Sequence, residues 1–187
     1  MHIQLPSLPP VQKPTIRNKR TVYLSSYLSL IEATSMQPDG TEGMCCVVDR
    51  HSPFSIIIAL TKSHTVYLVG QYRVPVQKVS WEFPMGAVYG KTPDEMAQQE
   101  LSEETGLTAK KWERLGSFFV APGFCNQEAF VYLARDLTRK ASHPEPNEFL
   151  TVVEVPVSTI PLLIKKGIIF DGPSTSAFHL YTAHALL

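Results

Sequence analysis

The chain has 187 residues, 17 Lys+Arg against 17 Asp+Glu, and 44% hydrophobic content. That describes one domain, or a domain with a small appendage, large enough to bury a core, and it excludes a disordered chain. Zero net charge argues against nucleic acid or acidic membrane as a partner, because both call for a basic surface.

Residues 1–20 hold several prolines and the four cations Lys13, Arg17, Lys19 and Arg20, and read as a loose arm. They contain no continuous apolar segment of the signal-peptide kind. The longest apolar run, Ile56 to Leu60, is far short of the roughly 20 residues of a membrane span. A cytoplasmic protein is expected. The cysteines, Cys45, Cys46 and Cys125, are odd in number and lack zinc-site spacing, so free thiols are expected.

Two β-prone stretches, Val22–Glu32 and Met44–Arg50, flank Pro38-Asp39-Gly40 and predict a hairpin. Short strands are expected at Ser55–Leu60 and Thr65–Arg73, and again at Gly116–Val120, Glu128–Leu133 and Leu150–Val155. A helix is marked at both ends. Thr92 caps it, Pro93 fits its first position, Glu95 completes a Thr-x-x-Glu box and Gly106 supplies a left-handed stop. A last helix is expected over Ser176–Leu187. Strands with few helices make the fold class α+β.

Within the capped helix, Glu100, Glu103 and Glu104 stand three and four residues apart and share one face. No lysine or arginine lies between Pro93 and Leu107. An acidic face of this kind is ordinarily just solvated, but clustered oxygen ligands also suit a hard cation such as Mg²⁺ or Mn²⁺. Upstream, Trp81-Glu82-Phe83-Pro84-Met85-Gly86 joins an apolar strand end to a Pro/Gly turn. Strand, glycine-containing loop and then acidic helix would bring a free backbone carbonyl beside the carboxylates. From Glu82 to Leu107 there are six acidic residues and one basic, a local charge of −5 hidden by the overall balance.

Gly86 to Leu107 resembles the Nudix box, G-x5-E-x7-R-E-U-x-E-E-x-G-U, with U a bulky aliphatic residue. Glu100-Leu101-Ser102-Glu103-Glu104-Thr105-Gly106-Leu107 matches its second half. Gln99 replaces the box arginine, Lys91 stands nearest the first box glutamate, and the segment between Gly86 and Gln99 is one residue short. A lost structural ion pair would have this signature. Gln71-Tyr72-Arg73, Glu82-Phe83-Pro84-Met85-Gly86, and Pro122 at 16 residues past Gly106 resemble the ADP-ribose pyrophosphatase subfamily.

The resemblance implies a Nudix α/β/α sandwich with a mixed sheet. It implies an N-terminal arm and hairpin over 1–50 that dimerises, and a Nudix domain over 51–187. The implied activity is metal-dependent hydrolysis of a nucleoside diphosphate sugar. ADP-ribose is the first choice, giving AMP and ribose 5-phosphate, with GDP-mannose and ADP-glucose as alternatives. A nucleotide-binding module without catalysis is the alternative of another class. The implied metal ligands are Glu100, Glu103, Glu104 and the Met85 carbonyl, with Mg²⁺ as cofactor and Mn²⁺ as substitute. Glu148 is the implied general base, Glu145 its alternative, and Glu104 takes part in catalysis. Arg73, Glu82, Met85 and Gly123 are the expected substrate contacts, Arg73 through its planar fork. Tyr23 and Tyr27 remain open between core, dimer contact and base stacking. No nucleic-acid or membrane partner is expected, and a homodimer is.

Overall fold

A computed structural model describes residues 7–87, 90–139 and 149–186. They form two compact units. One contains the described residues up to His51 together with Gly123–Cys125; the other contains Ser52–Pro122 and the described residues from Asn126 onward.

The first unit is a three-stranded antiparallel meander of β1 (Thr15–Leu24), β2 (Leu28–Met36) and β3 (Glu42–Arg50). Two points correct the sequence reading. Residues 15–20 are strand, not loose arm, and the expected Val22–Glu32 strand breaks at Ser25–Tyr27. The Ser25 hydroxyl accepts from Leu28 N–H at 3.2 Å and closes that turn without glycine or proline. The second turn follows the sequence signal, with Asp39 accepting from Thr41 N–H at 2.9 Å and Gly40 at φ 87°. Every residue of β1 is exposed. Tyr23 and Tyr27, at 57% and 64% exposure, are therefore not core. All three cysteines are free thiols.

The second unit holds two sheets. Strands β5 (Thr65–Arg73), β6 (Lys78–Glu82) and β10 (Thr151–Pro156) form an antiparallel sheet in the order β10-β5-β6. Strands β4 (Phe54–Ala59), β7 (Met85–Gly86), β8 (Leu107–Phe119) and β9 (Glu128–Arg139) form a mixed sheet in the order β7-β4-β9-β8, with β4 and β9 parallel. The helices are α1 (Pro93–Thr105), the short α2 (Ile160–Lys165) and α3 (Gly172–His184). None is long and apolar enough to cross a membrane.

The layering follows from β4, all six of whose residues are buried. Successive strand side chains point to opposite faces. Ile57 and Ala59 pack with Ala97 and Leu101 of α1. Ile56 and Ile58 pack with Ala177 and Phe178 of α3. Strand β9 repeats the division, with Tyr132 and Ala134 on the α1 side and Val131 and Leu133 on the α3 side. Helices thus cover both faces of the mixed sheet, and the α+β sandwich expected from the sequence is the observed fold.

Helix α1 begins and ends where its signals place it. Thr92 accepts from Glu95 N–H, Glu95 accepts from Thr92 N–H, and Gly106 takes a left-handed φ of 67°. Helix α3 starts earlier than expected. Asp171 is its N-cap and accepts from Ser174 N–H at 2.7 Å, with Pro173 in the first turn.

Candidate active site

Strand β7 is only two residues long, yet the acidic helix and the β5–β6 hairpin both answer to it. Its backbone is tied to the core strand through Ile57 N–H, which donates to Pro84 O at 2.8 Å, and through pairing of Met85 with Ile56 and Gly86 with Ser55. From α1, Glu104 reaches back and accepts from Met85 N–H at 2.9 Å while only 6% exposed. Glu100 lies directly over Gly86, where a Cβ would overlap its carboxylate. Glycine lets the two approach this closely, and a side chain there would displace the Glu100 carboxylate.

Glu103, on the same helix face, accepts from the Gln99 side-chain amide at 2.9 Å. Gln99 in turn accepts from the Lys91 ammonium. The two residues that depart from the box pattern are thus in contact. A charge-assisted hydrogen bond between an ammonium and a neutral amide bridges loop and helix here.

The donor set fits a hard divalent cation. Two carboxylates of α1 are drawn to the same strand residues whose backbone supplies a carbonyl, and all these donors are oxygen. Among the described residues, no three Asp, Glu, His or Cys side chains close on one point as a ready-made cage. Mg²⁺ ordinarily keeps several waters and takes one or two carboxylates, so it needs no such cage.

On the other side of β7 lies a cavity of about 580 Å³. Arg73, Glu82, Asp171, Met85, Phe170 and Val76 are among the residues around it, and its exposed wall is mostly carbon. Arg73 ends β5 and Glu82 ends β6. The strands' antiparallel pairing puts both side chains on one face, so the Arg73 fork grips the Glu82 carboxylate, Nε to Oε1 at 2.9 Å and Nη2 to Oε2. Glu82 is 1% exposed, while the Arg73 side chain is 41% exposed. The carboxylate is buried and the guanidinium faces outward. This hydrogen bond, together with the charge of Glu82, holds the arginine's pKa above its ordinary value against the effect of burial.

Asp171 was not found by sequence reasoning. Burial pushes its carboxyl up to about 6, with the Glu82 charge adding to the rise and the Ser174 hydrogen bonds and Arg73 opposing it. Its Oδ2 is committed to Ser174 N–H. Its Oδ1 is buried and meets no hydrogen-bond partner among the described residues. The signal that could have found it was Asp171-Gly172-Pro173-Ser174, an N-cap followed by proline in the first turn.

The structure therefore brings Arg73, Glu82 and Met85 to one cavity and gathers Glu100 and Glu104 at Met85–Gly86. Glu103 is placed one contact away, on Gln99. Gly123 belongs to the unit that contains the β1–β3 meander. Among the described residues, nothing lies within 4 Å of where a Cβ on it would sit. Glu145 and Glu148 lie outside the described residues.

A family model described as NUDIX domain matches residues 49–178. The chain belongs to the Nudix family. It is a Nudix hydrolase, similar over most of its length to proteins of the ADP-ribose pyrophosphatase group. It is 27% identical to the ADP-ribose pyrophosphatase of Bacillus subtilis (strain 168) over 162 residues, 85% of this chain and 87% of that protein. With the methanol dehydrogenase activator of Bacillus methanolicus it shares 33% identity over 131 residues, 68% of this chain and 71% of that one. The ADP compounds hydrolase NudE of Escherichia coli (strain K12) is 26% identical over 175 residues, 91% of this chain and 92% of its own. A crystal structure of an ADP compounds hydrolase superposes with a TM-score of 0.85 over 96% of this chain and 97% of that chain. At 22% identity that likeness establishes the fold alone.

Proposed function

We propose that this Nudix hydrolase cleaves the diphosphate of a nucleoside diphosphate sugar, with ADP-ribose as its preferred substrate and AMP and ribose 5-phosphate as products. The observation that carries the reading is the junction at Met85–Gly86. A carboxylate pair on α1 meets the strand from one direction, and a cavity with an outward-facing guanidinium opens on the other. Such a junction suits a group that is anionic at its centre and carries a sugar beyond it. The names of the relatives agree, since they include ADP-ribose and GDP-mannose pyrophosphatases. GDP-mannose and ADP-glucose are the competing substrates.

The chain's own residues divide the work. Glu100 and Glu104, with the Met85 carbonyl, hold Mg²⁺ or its substitute Mn²⁺, and Glu103 supports them directly or through water. A divalent cation bound there neutralises phosphate charge and lowers the pKa of water. Arg73, whose Nε and Nη2 are held by Glu82, presents its remaining Nη1 edge to the diphosphate. Glu148 accepts the proton of the attacking water, with Glu145 as the alternative base. Gly123 gives the substrate room beside the backbone. The fully exposed β1, an edge strand carrying Tyr23 and Leu24, supplies the contact of a homodimer, since a bare edge invites pairing with a second chain.

The test incubates the protein with ADP-ribose, ADP-glucose and GDP-mannose, with and without Mg²⁺ or Mn²⁺, and follows AMP or GMP release. Metal-dependent AMP release, lost in Glu104→Gln, is expected. Nucleotide binding with no turnover under any metal would replace the hydrolase reading with a binding module.

A further inference from the structure

We propose that Ser174 is a positioning residue for the metal site: its hydroxyl fixes the Phe83 N–H, and through it the course of the chain that carries the Met85 carbonyl to Glu104. It rests on the metal-dependent reading above and adds to it the anchor that sets one of the ligands.

The chain leaves the antiparallel sheet at Glu82 and enters the mixed sheet at Met85, so only Phe83 and Pro84 lie between the two strands. Neither residue belongs to a strand ladder, and Pro84 has no N–H to offer. The crossing is nonetheless held at two backbone groups. Pro84 O accepts from Ile57 N–H at 2.8 Å, and Phe83 N–H donates to Ser174 Oγ at 2.9 Å. A third bond, from Met85 N–H to Glu104, is no independent anchor, because Glu104 is itself one of the groups to be positioned. The Phe83 ring is buried in the core, but such burial is non-directional. The orientation of the Glu82–Phe83 peptide plane therefore falls to the Ser174 hydroxyl.

That hydroxyl is a fixed point. Ser174 is fully buried, and its own N–H is committed to Asp171 Oδ2 at 2.7 Å in the first turn of α3. One turn further on, Ala177 packs with Ile56 and Ile58 of β4, and Ile56 is the residue that pairs with Met85. Helix α3 and strand β7 are thus both referred to β4, and the bond from Phe83 to Ser174 closes the triangle. Without the hydroxyl, a buried N–H is left with no acceptor, a costly state that the chain relieves by moving. The Glu82–Phe83 peptide turns toward another acceptor, and the rotation passes two residues on to the Met85 carbonyl.

The experiment measures Mn²⁺ affinity by calorimetry on the full chain without substrate, for the wild type, Ser174→Ala, Ser174→Cys and Ile160→Val. Cysteine nearly keeps the size of serine but offers only a weak acceptor. Ile160→Val trims the core that also contains Phe83 and Ala177, and is the control for lost stability alone. Both Ser174 variants should bind Mn²⁺ about tenfold more weakly, as losing a hydrogen bond behind a metal ligand does, while Ile160→Val binds it like the wild type. Unchanged affinity in the Ser174 variants, or an equal loss in Ile160→Val, overturns the proposal. Mn²⁺ binding that is lost in Glu104→Gln but kept in Ser174→Ala overturns this inference alone and leaves the metal site standing. A wild type that binds no Mn²⁺ overturns both.

Discussion

Two acidic groupings flank the Met85–Gly86 strand, and they are held by different means. Glu82 and Asp171 both feel the charge of Arg73, and Glu82 has the Arg73 fork locked on it. On α1, Glu103 takes its hydrogen bond from a neutral amide and Glu104 takes one from a backbone N–H. Neutral donors orient a carboxylate without cancelling its charge, whereas a bidentate guanidinium does both. The first grouping is locked to its cation, and in the second Glu103 and Glu104 are oriented by hydrogen bonds from uncharged groups.

That contrast can be broken from either side. The largest effect is expected from Glu104→Gln, which keeps the acceptor for Met85 N–H but removes the charge. AMP release should fall about a thousandfold, since metal-assisted stabilisation is worth several kcal/mol. A fall of less than tenfold would show that α1 does not hold the metal. Next, Arg73→Ala strands a buried Glu82, and urea unfolding should report a loss of about 3 kcal/mol. Adding Glu82→Gln should restore more than half of it. If it restores nothing, the pair does not stabilise by charge matching.

The third expectation concerns pH. The folded Asp171 carboxyl is raised from 3.8 to about 6, so between those values the native state keeps a proton that the unfolded chain has released. Stability therefore declines as pH rises through that window, and the cost is complete above it. The decline should be about 2 kcal/mol, allowing for the solvent that reaches the group. The wild type minus Asp171→Ser difference in urea unfolding, measured from pH 4 to 7, isolates it; a flat difference refutes it. The smallest effect belongs to the altered box pair. Gln99→Arg places a cation beside Lys91 and should cost about 0.5 kcal/mol, and Lys91→Glu in the same chain should reverse the sign. Thermal unfolding of the four forms measures the cycle.

Legibility in the sequence tracked how local each cause is. Helix α1 was readable to the residue because Thr92, Pro93, Glu95 and Gly106 act within one turn of its ends. The shared face of Glu100, Glu103 and Glu104 followed from helical spacing for the same reason. The break in the first strand escaped notice because Ser25 makes the turn with its hydroxyl, without the glycine or proline that marks the Asp39 turn. Arg73 and Glu82 were each singled out, but their grip on one another depends on the pairing of β5 with β6. Asp171 was invisible as a cavity residue because α3 comes back to Arg73 only through the tertiary fold, about a hundred positions later. The Lys91–Gln99 contact was legible only as a suspicion, from two departures at once.

Strand β4 gives the molecule a mechanical property of its own. Ile57 and Ile58 are neighbours joined by one peptide bond, yet one belongs to the core beneath the acidic helix and the other to the core beneath the helix that Asp171 caps. The strand is a party wall, with no solvent side into which a misfit could be relieved. A change of one methylene at Ile57 loads the compartment beneath α1, and the same change at Ile58 loads the one beneath α3.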